Sequence, residues 1–246
     1  MKKIIIMFLE IIIYDVIIYF DDIALLEHNI YNIEEYFKLY FLRYDSAQNM
    51  NLTTYVIFCS GILIFPLMYG NYIYKDISPE GIYVFTRQKS RKIWYIKKIY
   101  CLFILSLIFS LFTCIIDFLI IYINVSVFPF KSVFPLFFGS FIIKTVTAFS
   151  LCTLQNILSG FCGQNISLIF VSALFLLESF NSHYIISNEL ELFPYIYINP
   201  VITFTVFVDS QITTNLMTKL LVPLITPILL GTCIFKMNVC LNDKDV

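Results

Sequence analysis

Six long apolar stretches, separated by shorter polar or charged segments, set the pattern of this chain: Ile4 to Phe20, Leu52 to Tyr74, Ile99 to Ile123, Leu136 to Leu158, Asn165 to Phe180 and Leu216 to Phe235. A helix needs about 20 apolar residues to cross the hydrocarbon of a bilayer. The pattern therefore predicts an all-α integral membrane protein with six spans in one transmembrane domain over residues 1–246. The fifth stretch is the exception, because about 16 residues make a helix of only roughly 24 Å, short unless flanking irregular structure completes the crossing. The next segment, Asn181 to Asn215, stays fairly apolar. Within it, Phe193-Pro194 and Asn199-Pro200 set prolines among aromatics, which is poor for a continuous helix and suited to short interfacial or re-entrant segments before the last span.

Breaks in the pattern refine it. Ser159 to Gln164 is an uncharged turn with two glycines, tight enough to make the fourth and fifth spans antiparallel neighbours. Pro66 in the second span, and Pro223 with Pro227 in the sixth, each remove a backbone donor and should bend or loosen those helices.

Charge placement orients the spans. Between the second and third lie Lys75, Arg87, Lys89, Arg91, Lys92, Lys97 and Lys98 against Asp76 and Glu80, so by the positive-inside rule this loop is cytoplasmic. With an even number of spans, Lys2 and Lys3 at one end and Lys236 and Lys244 at the other also fall inside. Both termini are expected in the cytoplasm, and the acidic segment from Asp21 to Asn51 outside.

Composition agrees with lipid as the solvent. The chain is 59% hydrophobic and 13% charged, where a soluble domain carries about 25% charged residues. The predicted location is the cell membrane, crossed several times, with lipid as a partner and no role for nucleic acid. The seven cysteines fall in apolar stretches or predicted cytoplasmic segments and lack CxxC spacing, while His28 and His183 stand apart, so neither a disulfide framework nor a metal site is expected. Met1-Lys2-Lys3 before an apolar run resembles the start of a signal peptide, but Glu10 and Asp15 interrupt the run and no small-residue cleavage site comes after it; we read it as a retained first span.

Charges inside spans cost roughly 2.5–3.5 kcal/mol each on the insertion scale, so Glu10, Asp15, Asp117, Lys144 and Lys219 need an account. Counting residues from the span ends puts Asp117 and Lys144 at one depth, roughly 9–12 Å below the outer surface. They are expected to pair. Asp15 and Lys219 lie near the outer ends of the first and last spans and form a second candidate pair, whereas Glu10 has no evident partner. Such charges either fix helix packing or line a transport path.

The remaining signal is the cytoplasmic segment Gly81 to Lys98. Arg87, Arg91, Trp94 and Lys98 recur at i, i+4, i+7 and i+11, which on a helix makes one face with three cations and an indole. That face suits an acidic partner or anionic headgroups, and equally an ordinary juxtamembrane basic helix. Arg87-x-x-Ser90-Arg91-x-x-Trp94-x-x-x-Lys98 resembles the pattern between the second and third spans of small type-2 ABC permeases, membrane subunits of exporters in Gram-positive bacteria. The resemblance extends to six spans, inward termini, a long first outer loop, a tight inner turn after the fourth span and an aromatic segment with Asn199-Pro200 before the sixth. It implies a coupling helix at Arg87 to Lys98 that meets an ATPase, and re-entrant segments over Phe193 to Pro200. It also implies two permease copies, or this chain with a related one, and two copies of the ATPase.

No G-x-x-x-x-G-K-[ST] phosphate loop occurs, so the chain cannot hydrolyse ATP through that chemistry. No cofactor is expected on it; ATP and Mg would sit on the partner. The expectation is a non-catalytic permease subunit of an ATP-driven exporter of amphipathic or antimicrobial peptides or other hydrophobic cargo. The alternatives are an ATP-independent carrier and a membrane immunity protein. An intramembrane hydrolase is disfavoured, since neither histidine lies in a predicted span.

Overall fold

A computed structural model of the chain describes residues 5–16, 52, 56, 60–77, 91–124 and 130–187. Among the described residues every regular element is helical and no strand occurs. Residues 5–16 form helix α1. A 3-10 turn, Gly61–Leu63, leads into α2 (Ile64–Tyr69), and a short α3 (Tyr74–Ile77) comes next. Three long helices complete the described chain: α4 (Arg91–Asn124), α5 (Phe130–Cys162) and α6 (Gln164–Ser187). Among the described residues three segments are long and apolar enough to cross a membrane, Ile93–Ile120, Phe137–Cys162 and Gln164–Asn181.

The long helices run antiparallel in sequence order with α5 in the middle. Along the α4–α5 seam Phe103 meets Phe149 and Phe118 meets Phe137, at ring centroid distances of 5.5 and 6.1 Å, so one helix ascends as the other descends. On the other side of α5, Leu151 packs with Val171 and Phe175 of α6. Being covered on both sides, α5 turns most of its length inward, whereas α4 and α6 each keep an exposed apolar face.

The link between α5 and α6 is a single residue. Gly163 has φ of 82°, the left-handed conformation that a side chain disfavours. Its N–H bonds the carbonyl of Ser159 at 3.1 Å, and its own carbonyl accepts the N–H of Ser167 at 3.2 Å. The predicted tight reversal is therefore present, but one glycine makes it, since Gly160 lies within α5 in open space.

Helix α6 corrects the reading of a short fifth stretch. It has 24 residues, about 36 Å of helix. The apolar periodicity stops at Phe180, but Asn181 to Ser187 continue the same helix, and no irregular structure is needed to complete its length. The proline effect also differs from a simple bend. Pro66 sits in the first turn of α2, directly after the 3-10 turn, and the chain breaks instead at Gly70 to Ile73.

Helix α1 packs its Met7, Ile11 and Asp15 face inward, at successive i+4 positions, and leaves Glu10 exposed. Phe8 meets Phe112 of α4 at 4.1 Å, and the Tyr14 ring lies where a side chain on Gly61 would stand, so α1 closes against both neighbours. Met7, Ile11, Phe65, Leu102, Phe109 and Phe149 are the largest fully buried side chains of the resulting core, which also holds Tyr69 and Trp94.

Candidate functional site

Two polar centres interrupt this apolar packing, one at each end of the α4–α5 seam. Asp117 on α4 and Lys144 on α5 form an ion pair between Nζ and Oδ2, as depth counting anticipates. Both are buried, the Asp117 side chain 1% and the Lys144 side chain 11% exposed, so neither charge is left to water. From Asp117 back along the same face of α4, Cys114, Ser110 and Ser106 are buried, with the Cys114 thiol 3.9 Å from the buried Ser140 hydroxyl of α5.

The second centre holds the break in the 60–77 segment. In an unbroken helix the N–H of Ile73 would bond the carbonyl of Tyr69. Here the side-chain amide of Asn156 stands between them: its Oδ1 accepts the Ile73 N–H at 2.8 Å and its Nδ2 donates to the Tyr69 carbonyl at 3.2 Å. The Tyr74 N–H also reaches Oδ1 at 3.4 Å, and Nδ2 is anchored to the Cys152 carbonyl of its own helix at 2.8 Å. A buried backbone break would leave groups unpaired; Asn156 takes up the Ile73 N–H and shares the Tyr69 carbonyl with the N–H of Tyr72, which bonds it at 2.9 Å. Gly70 permits this approach, because a Cβ there would overlap the Gln155 side chain.

The base of α4 grips the same break from the opposite side. Lys98 pairs with Asp76 at 2.7 Å, and its ammonium stands 4.2 Å over the Tyr72 ring and 6.0 Å over the Trp94 ring. Trp94 is itself buried in the cluster that contains Tyr69 and Ile73. These four residues thus make a single contact between α4 and the residues flanking the break, built of an ion pair, cation–π attraction and apolar burial.

The structure treats the residues singled out from the sequence in different ways. Asp117 and Lys144 are brought together. Trp94 and Lys98 share a helix with Arg91, but the indole faces the chain's own interior and not outward; the outward side of this turn is formed by Ile93, Ile96 and Lys97. Asp15 is buried and Glu10 exposed. Arg87, Ser90, Lys219, Phe193, Pro194, Asn199 and Pro200 lie outside the described residues, and the expected coupling face, second ion pair and re-entrant segments lie there with them in whole or in part. Three polar residues were missed. Asn156 and Gln155 had a signal, two adjacent amides in an apolar stretch, and Glu178 is a half-buried acid well inside α6.

Comparison with known proteins adds a family and little else. A family model described as "Protein of unknown function (DUF2705)" matches residues 11–239. No curated protein and no solved structure matches.

Proposed function

The chain belongs to the DUF2705 family, and within that family of unknown function we propose, from the residues of this chain, that it is the membrane subunit of a transporter driven by a separate ATPase. In this reading it sits in the cell membrane with six spans and both termini inside, beside a second copy or a related chain and two ATPase copies. The re-entrant segments before the sixth span, Phe193-Pro194 and Asn199-Pro200, belong to this reading, as does an amphipathic or peptide cargo moved outward.

The observation that carries the proposal is the joint at the base of α4. The basic segment Arg87 to Lys98 runs into α4 without interruption from Arg91 onward. A push received by that segment travels along a rigid 34-residue helix. Through Trp94 and Lys98 it also reaches the break at Gly70 to Ile73. A broken helix whose backbone is satisfied by a side chain from a neighbour is the kind of element that takes two arrangements at small cost. Substrate would then follow the opening of the helix layer, with alternating access as the mechanism.

The test is affinity purification of the tagged chain in mild detergent, comparing the natural sequence with the Arg87→Glu, Arg91→Glu variant. A soluble ATPase that accompanies the former and is lost from the latter supports the reading. Absence of an ATPase even after cross-linking turns it towards an ATP-independent carrier or a membrane immunity protein.

A further inference from the structure

The outward face of α4 differs in kind from its inward face. Inward, small and polar side chains, Ser106, Ser110 and Cys114, let α5 approach closely. Outward, Ile104, Ile108, Leu111, Ile115 and Leu119 stand exposed at intervals of three or four residues, one straight stripe. Apart from Cys101 at its inner edge, the stripe carries no small residue of the kind that packs one membrane helix against another.

Tyrosines close the stripe at both ends. Tyr100 and Tyr122 are exposed on the same face, and 22 residues of helix between them measure about 33 Å, close to the roughly 30 Å of bilayer hydrocarbon. Tyrosine rings favour the boundary where one edge is apolar and the hydroxyl is wet. One turn below Tyr100, Lys97 is exposed, and its positive charge complements the anionic headgroups of the inner leaflet.

We infer that this face of α4 lies against the bilayer itself, with acyl chains along Ile104 to Leu119, Tyr100 and Tyr122 at the two headgroup boundaries, and Lys97 on anionic phosphates. The inference rests on the membrane reading and not on the ATPase. It has a consequence for assembly, since a second copy of the chain must then meet this one through another face.

The experiment replaces Ile108, and separately Ile115, with the photo-cross-linker p-benzoylphenylalanine in the full-length chain and irradiates it in native membranes. Phospholipid adducts on a chain that still runs as a monomer are expected at both positions, so one variant that fails to insert leaves the other to decide. A covalent dimer, a link to residues 188–246 of the same chain, a link to another protein, or no lipid adduct at either position overturns the inference. For the headgroup contact, native mass spectrometry of Lys97→Gln in phosphatidylcholine vesicles containing phosphatidylglycerol should show about fivefold weaker retention of the anionic lipid. Unchanged retention removes Lys97 from the contact.

Discussion

The two polar centres of the α4–α5 seam solve opposite problems. At the Asp117–Lys144 end the backbone is regular and the side chains are the difficulty, since two charges sit where water is excluded, and each is acceptable only because of the other. At the Asn156 end the side chain is neutral and the backbone is the difficulty, since a helix breaks among buried residues and its amide groups need partners. The first centre locks two helices at a fixed height. The second keeps a discontinuity open. A fixed end and a jointed end thus lie along one seam, and the comparison teaches which kind of polar residue does which task.

The sharpest test of this contrast removes one charge. Lys144→Met should cost about 3 kcal/mol or more, because Asp117 is left buried without compensation, whereas Asp117→Asn combined with Lys144→Gln should recover most of that loss. Thermal unfolding of the purified chain in one detergent reads both. Next in size, Asn156→Leu orphans the Ile73 N–H, at about 1–3 kcal/mol for a buried group left unpaired, while the Tyr69 carbonyl keeps the N–H of Tyr72 at 2.9 Å. Its effect should be local, with faster amide exchange over residues 70–77 and little change along α6; uniform loosening would mean that the break is not an independent joint. Were this variant to cost more than Lys144→Met, the assignment of fixed and jointed ends would be reversed.

Smaller effects sharpen the jointed end. Gly70→Ala drives a methyl into the Gln155 side chain, and about 1–2 kcal/mol of the loss should return when Gln155→Ala is added, a coupling that a double-mutant cycle isolates. Smallest of all, Asp76→Asn breaks a pair whose side chains are 21% and 24% exposed, so it should cost no more than about 1 kcal/mol and depend on salt. A large, salt-independent loss would show that Lys98 is held more tightly than its partial exposure allows.

The outer centre was legible in the sequence because charges announce themselves in apolar stretches, and depth comes from counting residues along a helix. Asn156 was legible only as one of two adjacent amides in an apolar stretch; its task was not, because its partners are backbone groups that every sequence possesses. Glu178 was hidden by a boundary placed at Phe180, which made an interior acid look terminal. For Trp94, the spacing correctly set the indole on a face with Lys98, but spacing does not say which way a face turns; Ile93 and Ile96 take the outward side and leave the indole to Tyr69 and Ile73. Helix existence was readable throughout the described long segments, and antiparallel neighbours could be read from the turn at Gly163.

That turn constrains how the protein is made. On the proposed membrane reading, one residue between α5 and α6 leaves no stretch of chain to separate two insertion events, and the pair would enter as a hairpin. Of the three candidate crossing segments, α6 has the least apolar window. On that reading its entry would depend on the helix synthesised just before it, and a substitution that delays α5 at the translocon would strand α6 in the wrong compartment even if α6 itself were untouched.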